Sequence, residues 1–379
     1  MKRIFFLLVL IFSAVNIFAQ DAKTFTIATY NVQGLPTEIL EIDFSEFGWP
    51  GSKYTREIGT MIESEKWDIV AFNEDFNYHD DLVSTMPSYN FMTHTGKFEE
   101  TEEAVRNLFD GFLGLGLYTE RYRFTIDGLG FATRNNYTIS DETIVPWNKD
   151  AIYGYFDHDN DSITSKGFRY YNVALDNDHT IGVVALHADA GEWIEDSRAR
   201  KNGFRQLYDF LMTNNNVNFP LIMLGDFNCK KDCDTSKGET CDDHLSEWTV
   251  QLFNENNGFS AHDLTEDLNV KEQTLDRIMY VNKNTAAFYL QPKTFEIKQN
   301  FKRSDPETES GKVYDGQLSD HKPLVATFEI VDNTSNNVKS LNASQCQDIT
   351  AYELSGIVAT PSTPDFRKIL VSKKFKRLQ

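Results

Sequence analysis

Two short polar pairs stand at the ends of apolar runs, and their residue types could do hydrolytic chemistry. Asp226 and Asn228 lie in Gly225-Asp226-Phe227-Asn228, directly after Leu221-Ile222-Met223-Leu224. Two residues apart on extended backbone, they face one side. One can hold or deprotonate a water while the other donates to a phosphate oxygen. A plain turn is the competing reading, since Gly, Asp and Asn all favour turns. The second pair is Asp320-His321, inside Leu318-Ser319-Asp320-His321-Lys322-Pro323 and just ahead of Leu324-Val325-Ala326. A carboxylate beside an imidazole fixes the ring and favours its cationic form, which suits proton transfer or stabilisation of an oxyanion. A loop-capping histidine is the alternative.

Three more polar residues end apolar runs. Glu74 follows Asp68-Ile69-Val70-Ala71-Phe72-Asn73, and a carboxylate there suits a hard cation such as Mg2+, which prefers oxygen ligands and keeps waters. Asn31 closes the run 24–31, and His187 closes Val183-Val184-Ala185-Leu186. Singly, each reads as well as a surface or structural residue. Together, at the ends of strands, they stand where a sheet delivers side chains to a site.

The elements that must position them can be read from patterning. Residues 24–31 alternate and are rich in β-formers, which predicts a strand. Residues 54–66 carry Ile58, Met61 and Ile62 at helical spacing. Residues 67–72 form a continuous apolar run, as in a sheet buried on both faces. Strands are also expected at 139–145, 170–175, 180–187, 219–224, 277–280 and 324–330, and a helix at 196–214. Strands and helices alternate only in places, which points to a mixed sheet with helices on its outer faces. Glycines recur between 108 and 130, but no phosphate-loop Lys-Ser or Lys-Thr follows them, so tight turns explain them better.

Bulk properties bound the function. With 57 acidic against 37 basic side chains, the formal net charge is -20. Tight non-specific binding to nucleic acid depends on neutralising phosphates with Lys and Arg, so this balance disfavours it. Met1-Lys2-Arg3, the apolar run 4–15 and Ala19 have the layout of a secretory leader, so residues 1–20 are expected to be removed from an exported chain. A periplasmic, cell-surface or released protein fits equally. Cys229, Cys233, Cys241 and Cys346 allow a disulfide in such a compartment, with connectivity open, or a zinc site whose spacing is weak. Residues 332–344 read as an Asn- and Ser-rich linker, and 332–379 as linker and tail of open role. Nothing in the sequence sets the oligomeric state.

In order and context the polar segments resemble the endonuclease/exonuclease/phosphatase superfamily. The matching segments are Thr29-Tyr30-Asn31-Val32-Gln33-Gly34, Asp68 through Glu74, Ala185-Leu186-His187-Ala188-Asp189, Gly225 through Asn228, Leu275-Asp276-Arg277-Ile278 and Ser319 through Pro323. They span about residues 24–330. The resemblance implies a four-layer α/β sandwich of two packed mixed β-sheets flanked by helices, occupying residues 21–331. It implies a phosphoric ester hydrolase in which Glu74 is the central Mg2+ ligand with Asn31 close by; Mn2+, Ca2+ or Co2+ are open alternatives. By motif position Asp226 activates the attacking water, and Asn228 orients Asp226 or the phosphate. His187 and His321 contact the phosphate, Asp276 orients one of those histidines, and Asp320 assists the metal or His321. Asn73 stands where the family usually has Gln.

The superfamily includes nucleases, phosphatases and sphingomyelinases. Export, acidity and the segments Ser165-Lys166-Gly167-Phe168-Arg169-Tyr170 and Gly114-Leu115-Gly116-Leu117 resemble the secreted sphingomyelinase-like branch, which implies a phosphodiesterase acting on a sphingomyelin-like phospholipid, with a membrane surface as one setting. A hairpin turn explains Lys166-Gly167 as readily. Trp147 and Tyr153-Gly154-Tyr155-Phe156 could seat in a membrane interface or pack in the core. Residues 289–301 offer few aromatics of exposed character, which weighs against the lipid. A secreted Mg2+-dependent endonuclease and a non-catalytic binding protein with a relic site are the rival readings.

Overall fold

The computed structural model describes residues 23–39, 42–43, 49–94, 127–152, 166–229, 243–267, 274–305 and 316–333. The expected leader at 1–20, the glycines at 111–116, Tyr153 to Phe156, Cys233, Cys241 and the tail with Cys346 lie outside them.

In chain order the strands are β1 (Thr24–Asn31), the short pair β2 (Glu38–Ile39) and β3 (Ile42–Asp43), β4 (Ile69–Asn73), β5 (Tyr89–Phe91), β6 (Gly130–Arg134), β7 (Thr138–Pro146), β8 (Gly167–Ala174), β9 (Thr180–His187), β10 (Leu221–Asp226), β11 (Phe259–Asp263), β12 (Asp276–Lys283), β13 (Phe288–Ile297) and β14 (Leu324–Asp332). The helices are α1 (Gly51–Glu65), α2 (His79–Thr85), α3 (Ile194–Thr213), α4 (Asp243–Asn254) and α5 (Leu264–Asp267). Six strands form one sheet in the order β13-β14-β1-β4-β6-β5, and six form a second in the order β11-β12-β10-β9-β8-β7. Each sheet has one parallel pair at its centre, β1 with β4 and β9 with β10. The rest run antiparallel, so both sheets are mixed, as expected.

Alternation along the strands builds the layers. Phe25, Ile27, Ile69 and Ala71 from the first sheet meet Val183, Ala185, Ile222, Leu224 and Ile278 from the second in a buried core between the sheets. The opposite face of the first sheet turns Ala28, Tyr30, Val70 and Phe72 against Tyr54, Ile58 and Ile62 of α1 and Leu82 of α2. The outer face of the second sheet turns Val184, Leu186, Met223 and Met279 against Phe204, Leu207 and Leu211 of α3 and Leu245 and Phe253 of α4. The order helix, sheet, sheet, helix is the four-layer α/β sandwich. Burial on both faces explains the near-continuous apolar runs of β4, β9 and β10.

Polar side chains stitch the sheets together. Asn73, at the end of β4, donates from Nδ2 to the Leu186 carbonyl of β9 at 2.7 Å. Arg169 of β8, fully buried, donates to both Asp127 oxygens at 2.7 Å, to Glu142 at 3.3 Å and to the Thr93 carbonyl. Thr93 lies just beyond β5 and Asp127 just before β6, so this guanidinium ties the second sheet to the edge of the first. No helix among the described residues is long and apolar enough to cross a membrane.

Candidate active site

Topology brings the polar strand ends to one edge. Asn31 is the last residue of β1 and pairs in register with Asn73, the last of β4, so Glu74 emerges next to it. Asp226 closes β10 and pairs with His187, the last of β9. On its other side Asp226 pairs with Asp276, the first residue of the antiparallel β12. The loop holding Asp320 and His321 enters β14, whose Leu324 pairs with Thr29 near the end of β1. Both sheets therefore deliver their polar ends to the same side of the sandwich.

The backbone turns sharply there. Gln33, Glu74 and Asn228 adopt positive φ of 48°, 54° and 50°, a conformation that costs a non-glycine residue energy and needs surrounding structure to hold it. Gly225, with φ 140°, sits so close to β9 that an added Cβ would lie 2.0 Å from the Leu186 carbonyl oxygen. That contact admits glycine alone and lets β10 lie tight against β9 just before Asp226.

The side chains form one connected group. Asn31 Nδ2 donates to Glu74 Oε1 at 2.9 Å and to Asp226 Oδ2 at 3.3 Å, bridging the two sheets with one amide. The Nε2 atoms of His187 and His321 both lie 3.7 Å from Asp226 Oδ2. The Asn228 amide N–H donates to Asp226 Oδ1 at 2.9 Å, and its side chain donates to the Ala188 carbonyl at 3.0 Å. Asn228 thus fixes the loop that carries Asp226 against the loop that follows His187. Asp276 Oδ2 meets His321 Nδ1 at 2.7 Å, so the histidine it orients is His321. Asp320 is exposed and accepts from Gln33 Nε2 at 3.0 Å. It stands at the rim of the group, held from the β1 side. Ser319 donates to the Asn31 carbonyl at 2.8 Å and locks the Asp320–His321 loop onto β1.

Charge follows from this packing. Burial pushes the Glu74 carboxyl up, and the neighbouring Asp320 charge adds to it, to about 7. Burial also acts to raise Asp226, but the charges of His321 and His187 outweigh it and hold this carboxyl below its usual range. Asp276 is raised, chiefly by burial. Burial pushes the His321 ring down, yet the adjacent Asp276 and Asp226 carboxylates more than compensate and hold it well above its usual range. This favours the charged form of the ring.

The donor set suits a divalent cation. Glu74, His187 and Asp226 each offer a ligand atom, all within 4.8 Å of one another, as do Asp226, Asp276 and His321. A carboxyl group raised to about 7 by burial, with the Asp320 charge adding to it, is what a hard cation would restore to its ionised form. Glu74 is the carboxylate placed to hold it; Asn31 turns its Nδ2 to Glu74 and Asp226 and its Oδ1 to the Gln33 N–H, so it stands close by as a brace. A metal held there would supply Lewis-acid chemistry.

Lys166 belongs with this group, although the sequence marked it only as half of a turn. It is buried, donates to the Ala188 carbonyl at 3.3 Å and stabilises the ionised forms of both Glu74 and Asp226. It is not the tip of a hairpin. Gly167 runs against Val145, leaving no room for a Cβ, and starts β8. Trp147, read above as either core or membrane-seating, is core: it is buried, and its Nε1 donates to the His187 carbonyl at 2.7 Å. Cys229 is also buried, with Sγ 3.3 Å from the Phe227 carbonyl.

No protein-family model matches the sequence, and no curated protein matches it. Solved structures do. Sphingomyelinase C from Streptomyces griseocarneus is similar at TM-score 0.52 and 16% identity, over 80% of this chain and 99% of that one. An endonuclease/exonuclease/phosphatase family protein from Bacteroides thetaiotaomicron is similar at 0.51 and 15%, over 82% and 99%. A TDP2 from D. rerio complexed with single-strand DNA product is similar at 0.50 and 14%, over 81% and 99%. At these identities the likeness is one of architecture, and the two packed six-stranded sheets with their outer helices are the endonuclease/exonuclease/phosphatase fold.

Proposed function

We propose that the chain is a divalent-metal-dependent phosphoric ester hydrolase that directs water in line onto a phosphodiester, with a sphingomyelin-like phospholipid as preferred substrate. The observation that carries the hydrolase reading is the convergence of two imidazoles on one carboxylate oxygen of Asp226, opposite Glu74 and joined to it through Asn31.

In this reading ionised Asp226 holds the attacking water and takes its proton. The His321 imidazolium, oriented by Asp276, meets the charge that grows on the phosphoryl oxygens, and His187 supports it from the other side. Asn228 fixes the angle of Asp226. Glu74 would hold Mg2+, with Asn31 close by and Asp320 at the rim, and the ion would supply charge neutralisation there; Mn2+, Ca2+ or Co2+ are alternatives. The catalytic domain is residues 21–331 of an exported chain.

Three features support the lipid. The net charge of -20 disfavours nucleic acid. Lys166-Gly167 packs into the site rather than forming a remote turn. Trp193 and Ile194, 57% and 50% exposed, stand where α3 begins, six residues past His187 and on the edge of the sandwich that bears the site. Exposed Trp and Ile at such a rim suit a bilayer interface.

One assay separates the readings. Purified protein is offered sphingomyelin vesicles, plasmid DNA and a chromogenic phosphodiester, with Mg2+ and with chelator. Turnover of sphingomyelin and the soluble diester, lost in chelator, is expected. DNA cleavage without lipid cleavage overturns the substrate, and no turnover of anything overturns the hydrolase. Trp193→Ala should lower turnover on vesicles several-fold while leaving the soluble diester unchanged; an equal effect on both removes the interfacial role.

The pH profile tests His321. Its pKa is held up by Asp276, so Asp276→Asn should let it fall. The active imidazolium is then lost at lower pH, and the alkaline limb of kcat/KM should move toward acid. A limb that stays in place means that His321 does not act as the acid.

A further inference from the structure

A second group of ligand-type side chains lies beside the site and is used by none of the steps above. Asp75 follows Glu74 directly, and its side chain is buried. His79 opens α2 four residues later, and His94 lies three residues beyond β5. Asp75 Oδ2 is 2.7 Å from His79 Nδ1 and 4.0 Å from His94 Nε2. His94 Nε2 also lies 2.6 Å from the Asp75 carbonyl oxygen. The two imidazoles stack face to face, with centroids 3.9 Å apart and planes 13° apart. One nitrogen from each ring and one carboxylate oxygen fall within 4.8 Å of one another.

We propose that Asp75, His79 and His94 form a second metal site, distinct from the Glu74 centre, for an imidazole-preferring divalent transition metal, Zn2+ foremost. Two neutral imidazoles and one carboxylate are the donor set such ions take, with a fourth position for water or the Asp75 carbonyl. Bonds of about 2.0–2.2 Å set tetrahedral donors roughly 3.4 Å apart, so on binding the 2.7 Å pair opens, the 4.0 Å pair closes, His94 Nε2 releases the Asp75 carbonyl and the two rings tilt out of their stack. The protein has made room for the carboxylate. Gly130 faces it, and a Cβ at that position would lie 2.5 Å from Asp75 Oδ2. The Asp75 amide donates to the Gly128 carbonyl at 2.9 Å, which anchors the ligand from the backbone side, and Phe91 packs edge-on against the His79 ring. The histidine side chains are 12% and 11% exposed, so an ion can reach them from solvent.

An ion here would have a structural consequence. It would pin Asp75, and with it the positive-φ turn at Glu74, to α2 and to the end of β5. The proposal does not depend on the phosphoesterase reading, because it concerns binding at other residues.

The test uses the full chain carrying Asp226→Asn, which removes a shared carboxylate from both clusters of the Glu74 centre. After chelator treatment it is titrated with Zn2+ by calorimetry. One ion per chain should bind, and adding His79→Gln or His94→Gln should weaken that binding at least 10- to 100-fold. Saturating Zn2+ should also raise the melting temperature of the Asp226→Asn protein and not of the histidine variants. Absence of uptake, or uptake unchanged in both histidine variants, overturns the site. Should a histidine variant fail to fold, crystals soaked in Zn2+ decide it. Anomalous density between Asp75, His79 and His94 is expected, and density elsewhere alone rejects the proposal.

Discussion

Asp226→Asn should lower kcat on a soluble phosphodiester by about 10² to 10⁴, the range that a positioned proton acceptor contributes, with little change in KM. The size of the effect follows from how many partners use this one carboxylate. Its Oδ2 faces both imidazoles at 3.7 Å and the Asn31 amide at 3.3 Å, while Oδ1 accepts the Asn228 N–H. The amide is isosteric but carries no charge and takes no proton. It also removes one of the carboxylate charges, beside those of Asp276 and Asp320, that hold the His321 imidazolium, so an acid and a base are weakened together. The fold should persist, because the change is isosteric at the edge of the sandwich and the apolar core below is untouched. Kinetics and thermal unfolding on one preparation check both halves. Wild-type turnover in a folded Asp226→Asn protein would remove Asp226 from the mechanism.

The largest stability effect is expected away from the chemistry, at Arg169. Its guanidinium, fully buried in β8, grips Asp127 bidentately and reaches Glu142 and the Thr93 carbonyl. Arg169→Met strands the Asp127 carboxylate in a dry setting. Breaking a buried pair from one side costs about 3–5 kcal/mol, which should appear as a much lower urea midpoint. The double variant Arg169→Met with Asp127→Leu should recover part of the loss, since an apolar pair replaces a stranded charge. A single variant that unfolds at the wild-type midpoint would show that the guanidinium does not brace the two sheets.

Much of the site could be read before the structure, because strand ends are where sheets present side chains. Asn31, Glu74, His187 and Asp226 each close an apolar run, and all four reach one edge. The strand 180–187 was placed to the residue, since buried central strands leave a continuous apolar signal. Other elements were missed for physical reasons. β13 carries Pro292, next to a break in register with β14, so its pattern does not read as a strand. β6 is five residues long and starts at a glycine. α2 and α4 begin among Asp and His residues that look like loop. Arg169 shows the deeper limit: a charged residue inside a strand reads as exposed until its buried partners, 27 to 76 residues away in sequence, are known. Lys166 escaped notice as a site residue because a turn lysine and a buried one have the same sequence.

The Asn31 amide spans the seam between two separately hydrogen-bonded sheets, with Glu74 on one side and Asp226 on the other. The gap between these carboxylates is therefore a gauge of how the sheets are seated. Side chains deep in the inter-sheet core, such as Phe131 and Tyr171 stacked with ring centroids 4.0 Å apart, set that seating far from any reacting atom. Resizing them would retune the jaw of the site without touching it, so under the proposed hydrolysis the rate would depend partly on the filling of the sandwich.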